Sequence, residues 1–204
     1  MPADKQKTIA LIALAVAFIA SAVHPYDRST WLLEVFPALI GIPLLLWYDR
    51  RYAVTRLVFV LVVVHCLVLV YGGAYSYARV PLGFWMQDWF GLARNDYDRI
   101  GHFMQGFVPA LIAREVLLRA ARLGNRKFLG FLCICISLAI SASYELVEWF
   151  AALILGQGAD EFLGTQGDPW DTQSDMLMAL IGAAVSMALL AKSHDRALAS
   201  LRNS

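Results

Sequence analysis

The sequence predicts an all-α fold: a polytopic membrane bundle of six transmembrane helices with both termini cytoplasmic. Three observations carry that expectation. The 204 residues are 59% hydrophobic and 16% charged, with a mean hydropathy of +0.59, whereas an ordinary soluble domain is nearer half apolar and a quarter charged. Six apolar runs approach or exceed the ~20 residues that cross a hydrocarbon core. Basic residues are distributed unequally between the two sets of connections.

The runs are 8–23, 31–48, 53–73, 101–120, 128–153 and 176–191, and together they describe one integral membrane domain over 1–204. Short polar turns at 24–28, 49–51 and 124–127 make the adjoining spans antiparallel neighbours. With the N-terminus inside, 13 of the 17 basic residues fall on cytoplasmic segments, and only Arg28, Arg79, Arg94 and Arg99 lie outside. The positive-inside rule then gives N-in and C-in. Lys5 and Lys7 followed by an apolar run and Ala20-Ser21-Ala22 also fit a cleaved signal peptide, but retaining the run preserves the charge asymmetry.

Segment 74–100 is too short of apolar residues to span. Leu82, Trp85, Met86 and Trp89 recur at helical spacing within it, and Trp favours the headgroup level, so a short interfacial helix on the extracytoplasmic surface is expected. It serves as an anchor or as a lip over a site. Cys66, Cys133 and Cys135 fall inside apolar runs, where they read as small buried hydrophobes and not as a disulfide framework. A net charge of +1 gives no basic face for nucleic acid. Nothing in the sequence speaks to oligomeric state.

Ionisable residues gather where the topology brings span ends to the outer face. Asp98 and His102 are four apart, on one face of the fourth span. Such a pair can share a ligand, since a carboxylate fixes the tautomer of an adjacent imidazole; Asp98 is equally explained as a helix-start acid. Glu145 and Glu148, at i, i+3 in the fifth span, lie about 25 to 30 Å along its axis from Phe128. Intramembrane carboxylates are costly and mark candidate sites. Asp168, Pro169 and Asp171 read as an N-cap, a first helical residue and a capping-box acid, leaving Asp175, one turn on, outside the cap. Glu34 and His65 can join this cluster or serve as packing. Arg114, Glu115 and Arg119 are expected at the cytoplasmic end, the arginines snorkelling and Glu115 pairing with Arg119. No nucleophile elbow, P-loop, dinucleotide fingerprint or zincin helix is present.

The order Asp98-x-x-x-His102, Glu145-x-x-Glu148, then Gly167-Asp168-x-x-Asp171-x-x-x-Asp175 with Gly182 beyond, resembles the YjdF family of inner-membrane proteins, whose activity is not established. In outline, Asp96 to about Leu190 is also similar to VanZ-like membrane proteins. Arg99 stands where those have Lys, and the acidic loop before the last span is longer, so a glycopeptide-resistance role does not carry over. The family implies a multi-pass protein of the bacterial cytoplasmic membrane.

Three functions compete. One is metal-assisted chemistry on a lipid or lipid-linked headgroup at the outer face, with Asp98, His102, Glu145, Glu148 and Asp175 as ligands, Glu145 or Glu148 as the catalytic base, and Asp168, Asp171 and Tyr144 in support. Oxygen-rich ligation with one His favours Mg²⁺, Mn²⁺ or Ca²⁺ over zinc or iron. The others are a proton- or cation-linked carrier or sensor, and a non-catalytic scaffold in the lipid bilayer that partners other envelope proteins.

Overall fold

The computed structural model describes residues 3–155 and 165–202; the acidic stretch noted before the last span lies outside them. Among the described residues the chain forms seven α-helices: α1 Ala3–Val23, α2 Arg28–Tyr52, α3 Arg56–Tyr75, α4 Pro81–Phe90, α5 Tyr97–Arg119, α6 Arg126–Leu155 and α7 Asp171–Arg202. A 3₁₀ turn, Tyr77–Arg79, precedes α4.

The helix boundaries follow local chemistry. Asp27 caps α2, its carboxylate accepting the Thr30 N–H at 2.7 Å. That bond holds the Asp27 carboxyl below its ordinary value. Thr55 caps α3, and the left-handed Ala53 (φ 49°) ends α2. Pro81 suits the first turn of α4, and Gly91, at φ 64°, closes it. Several helices outrun the expected spans: α7 begins at Asp171 and not at 176, and runs to Arg202. Hydropathy finds the apolar stretch, whereas backbone hydrogen bonding continues through charged flanks.

Five helices are long and apolar enough to cross a membrane: α1, α2, α3, α6 and α7. The fourth expected span, α5, is 23 residues long but carries Asp98, Arg99, Arg114, Glu115 and Arg119. It tolerates them because it is the central helix, packed by α3, α6 and α7. Val108 and Leu111 of α5 join Val58, Val62 and Cys66 of α3 in the main core, while Ala110 and Ala113 meet Leu129, Cys133 and Ala183 in a second. Cys66 and Cys133 are buried as expected, but Cys135 is exposed, because positions two apart on a helix point to different faces.

Side-chain pairs fix the helix directions. Lys7 meets Asp49 at 2.6 Å and Trp31 donates to Ser21, so α1 and α2 are antiparallel. α5 and α7 run parallel, pairing at His102 with Asp175 and again at Arg114 with Asp195. One end of the bundle therefore carries α4 and the connections on either side of it; the other carries Lys7, Asp49, Arg114 and Arg126.

The α5–α7 seam is unusually close. A Cβ on Gly106 would run into the carbonyl oxygen of Ala179, and one on Gly182 into that of Phe103. Small residues let membrane helices approach backbone to backbone, where van der Waals packing replaces the hydrophobic effect. This seam lies one turn below His102 and Asp175, and it brings them within reach of each other.

Candidate functional site

Three elements supply the cluster at the α4 end. α5 contributes Asp98, His102 and Gln105, α6 contributes Tyr144, Glu145 and Glu148, and α7 contributes Asp175. His102 is its centre, 4% exposed. Its Nδ1 lies 2.9 Å from Gln105 Oε1 and 3.6 Å from Glu145 Oε1. Its Nε2 faces Asp98 Oδ1 at 3.4 Å and Asp175 Oδ2 at 3.9 Å. When Nδ1–H is donated to Gln105, the Nε2 lone pair of the neutral ring points between two carboxylates.

One ligand atom each from Asp98, His102 and Asp175 lies within 4.8 Å of the other two. Donors on opposite sides of an ion at 2.0 to 2.6 Å stand about 4 to 5 Å apart, so the spacing fits one Mg²⁺, Mn²⁺ or Ca²⁺. Two buried oxygens are left over: among the described residues, Glu145 Oε1 and Asp175 Oδ1 have no hydrogen-bond partner, and Asp175 is 1% exposed. A buried carboxylate oxygen without a partner carries its full desolvation penalty. A cation seated among these residues would relieve that penalty. Gln105 was not among the residues singled out from the sequence, although a polar side chain at i+3 from His102 is the signal that finds it: metal-bound His commonly donates its other ring nitrogen to a neighbour.

Glu148 is half-buried and stands outside the tight trio, on the wall of a crevice that it shares with Asp98, His102 and Glu34. Tyr144 packs edge-on to His102, ring centroids 6.5 Å apart, and its hydroxyl donates to the Leu33 carbonyl at 3.2 Å. Glu34 joins the site from α2, accepting the Tyr77 N–H at 3.1 Å, while its second oxygen lacks a partner.

Asp168 and Asp171 belong to a neighbouring knot. Arg94 bonds to Asp171 and to the Thr165 carbonyl, and reaches Asp96 at 3.2 Å; Arg99 holds Asp96 at 2.9 Å. Burial alone would lower the Arg94 value, but the Asp171 and Asp96 carboxylates outweigh it and raise it. The expected capping box is replaced. The Asp168 N–H is already given to Thr165, its carboxylate accepts from Trp170 at 2.9 Å, and the helix starts at Asp171. Pro169 thus lies in the preceding turn. A buried guanidinium demands an anion, and that charge-assisted bond takes Asp171 away from the cap. Gln166 and Asn95, bonded to each other through side chain and backbone, tie the same loops together.

At the far end the arginines do not both snorkel. Arg114 and Glu115 are buried, 4% and 1% exposed. Glu115 accepts from the Thr55 hydroxyl at 2.7 Å, the Thr55 N–H at 3.1 Å, Arg119 at 3.0 Å and His194 Nε2 at 3.0 Å. Arg114 donates to His194 Nδ1 at 2.8 Å and to Asp195 at 2.7 Å. Because a guanidinium can only donate, His194 is the neutral Nε2–H tautomer. The Glu115–Arg119 pair is as expected; the burial of Arg114 by His194, 80 residues away in sequence, is not.

The chain belongs to the membrane-protein family described as "Predicted membrane protein (DUF2238)", whose model matches residues 6–196. It is 52% identical to "Inner membrane protein YjdF" of Escherichia coli (strain K12), across 92% of this chain and 90% of that one. A search of solved structures found no match. With its apolar helices, this kinship places the protein in the bacterial inner membrane as a multi-pass protein.

Proposed function

We propose that this is a six-span membrane protein with both termini cytoplasmic, whose α4 end faces outward and binds a divalent cation for chemistry on a lipid or lipid-linked headgroup. The sixth span is α5, about 34 Å long at 1.5 Å per residue, charged at its ends and wrapped by other helices. Orientation follows from the basic residues, which gather at the end carrying Lys7, Arg114 and Arg126.

The observation that carries the site is the placement of His102 Nε2 between Asp98 and Asp175, with Asp175 Oδ1 and Glu145 Oε1 unpartnered beside it. In this reading Asp98, His102 and Asp175 hold the ion. Glu145 or Glu148 acts as the base toward a headgroup or water, and Gln105 and Tyr144 orient the ring and the α2–α6 contact. The ion would polarise a phosphoryl or carbonyl oxygen. Asp168 and Asp171 support the site by neutralising Arg94, which anchors the loop leading into α5. Segment 74–100 lies along the outer surface, with Trp85 and Trp89 of α4 exposed toward the headgroups.

A second reading, cation or proton carriage, has one observation in its favour: among the described residues His65 Nε2 lacks a hydrogen-bond partner, and His65 lines the crevice below the site. Elemental analysis of gently purified protein, with lipid analysis of the same sample, tests the first reading. Stoichiometric Mg, Mn or Ca lost in His102→Ala supports it, and a metal-free protein that gains none on dialysis rejects it. Alkaline phosphatase fused at Thr165 should be active and at Asn125 inactive; the opposite pair of results would invert the topology.

A further inference from the structure

A crevice of about 800 Å³ descends from the site along one side of the bundle. α3 and α5 form its floor, with Val58, Val62 and Val108; α2 and α6 form its walls. The walls meet near the top, where Tyr144 bonds to the Leu33 carbonyl. Below that point Gly41 on α2 and Ala139 on α6 leave them apart. A Cβ on Gly41 would meet no atom within 4 Å. Ile40, Leu44 and Trp47 on α2 and Ile140 on α6 line the gap and are exposed, so in a membrane it is open to lipid.

Polarity changes along this crevice. Glu34, Asp98, His102 and Glu148 line its upper end, whereas most of its wall is aliphatic or aromatic down to Trp47 and Val116, and Glu115 at its foot is already bonded to Thr55, Arg119 and His194. From Glu34 to Trp47 the wall is about 20 Å long at ~1.5 Å per residue, somewhat deeper than one leaflet of a ~30 Å hydrocarbon core. Apolar cavities do not fill with water, and the apolar matter adjoining this one is hydrocarbon. At its polar end the Glu34 side chain, 3% exposed, keeps one oxygen without a hydrogen-bond partner among the described residues.

We infer that the crevice takes one hydrocarbon chain of an outer-leaflet phospholipid, seated between α2 and α6 with its headgroup at His102. The headgroup end of this inference rests on the function proposed above; the chain end rests on the crevice alone. It makes the substrate a lipid that enters sideways from the bilayer, not a water-soluble headgroup arriving from outside.

The test uses full-length protein in nanodiscs containing phosphatidylethanolamine with a diazirine halfway along one acyl chain. Illumination and peptide mapping should place adducts on Ile40, Leu44 and Ile140 in excess over Ile12 and Val16, which are exposed on α1. Gly41→Phe fills the open space, and should remove the excess while leaving α1 labelling and melting temperature unchanged. Equal labelling of crevice and α1, or an excess indifferent to Gly41→Phe, means annular lipid only and overturns the inference. Should Gly41→Phe fail to fold, Ala139→Phe on the opposite wall replaces it. His102→Ala separates the two proposals. That variant should lose the metal and keep its crevice labelling; in the wild-type protein, crevice labelling without any bound metal keeps the slot and discards the metal, and bound metal without crevice labelling does the reverse.

Discussion

Two buried polar clusters stand at opposite ends of α5, and they are built on opposite terms. At the end carrying Arg114, both Glu115 oxygens are bonded, His194 is engaged at both ring nitrogens, and Arg114 is shared between His194 and Asp195. At the α4 end His102 is surrounded by carboxylates at 3.4 to 3.9 Å, with oxygens of Glu34, Glu145 and Asp175 unpartnered among the described residues. The first cluster is complete without any ligand, so it works as a bolt joining α3, α5 and α7. The second is incomplete among the described residues, and that incompleteness is what the proposed cation would answer. Burial and charge alone do not distinguish them; hydrogen-bond satisfaction does.

The largest effect should come from breaking the closed cluster. Glu115→Ala strands Thr55, His194 and Arg119, and should cost about 3 to 5 kcal/mol, the usual penalty for removing one partner of a buried pair. Glu145→Gln in the open cluster, without metal, should change stability by less than about 1 kcal/mol or raise it, because it removes a desolvated charge whose Oε1 has no hydrogen-bond partner among the described residues. Chemical or thermal unfolding in detergent reads both. Equal large losses would erase the distinction between the two ends.

Adding Mg²⁺, Mn²⁺ or Ca²⁺ sharpens the comparison. At a hundred times its dissociation constant, an ion that binds only the folded protein stabilises it by about 2.7 kcal/mol. That increment should survive Arg119→Ala at the closed end and vanish in His102→Ala and Asp175→Asn. Unchanged melting of the wild type in all three ions would remove the metal reading. Next comes the seam: Gly106→Ala forces α5 from α7 at Ala179 and should cost about 1 to 3 kcal/mol by overpacking, with loss of cation stabilisation beyond the loss of fold stability. If the cation increment persists in full, the seam does not set the site.

The smallest effect should lie outside both clusters. Asp27→Ala removes the α2 cap and should cost about 1 kcal/mol. Since the folded carboxyl sits below its ordinary 3.8, its contribution is fully present above that pH and is lost as pH falls through the lower folded value. A wild-type and Asp27→Ala difference that grew on acidification would contradict that sign.

Much of this arrangement was legible in the linear chain. Apolar runs separated by short polar turns give the long helices, because a lipid environment leaves the backbone only its own carbonyls to bond. Helix α4 was readable from Trp85 and Trp89 at helical spacing, and Asp98, His102, Glu145 and Asp175 from their location in or beside apolar stretches. What was not legible is instructive. The capping box at Asp168 and Asp171 failed because Arg94, 77 residues earlier, competes for the same carboxylate. Arg114 was expected to snorkel because no local feature announces that His194 and Asp195 wait on the parallel helix. Gln105 looked like one more polar residue until the ring beside it was seen.

By itself the sequence determined the class of protein, the helical elements and the residue types that can hold an ion, since hydropathy, charge asymmetry and helical spacing act over a few residues and need no partner. Tertiary structure decided which of those residues are satisfied. That outcome depends on α5 and α7 running parallel and touching at Gly106 and Gly182, which sets His102 against Asp175 at one end and Arg114 against His194 at the other. It also depends on α2 and α6 standing apart below Tyr144. Hydrogen bonding is short-ranged and directional, so whether a buried carboxylate is fully bonded or keeps an unpartnered oxygen is settled by sub-ångström placement across helices, which no linear pattern encodes.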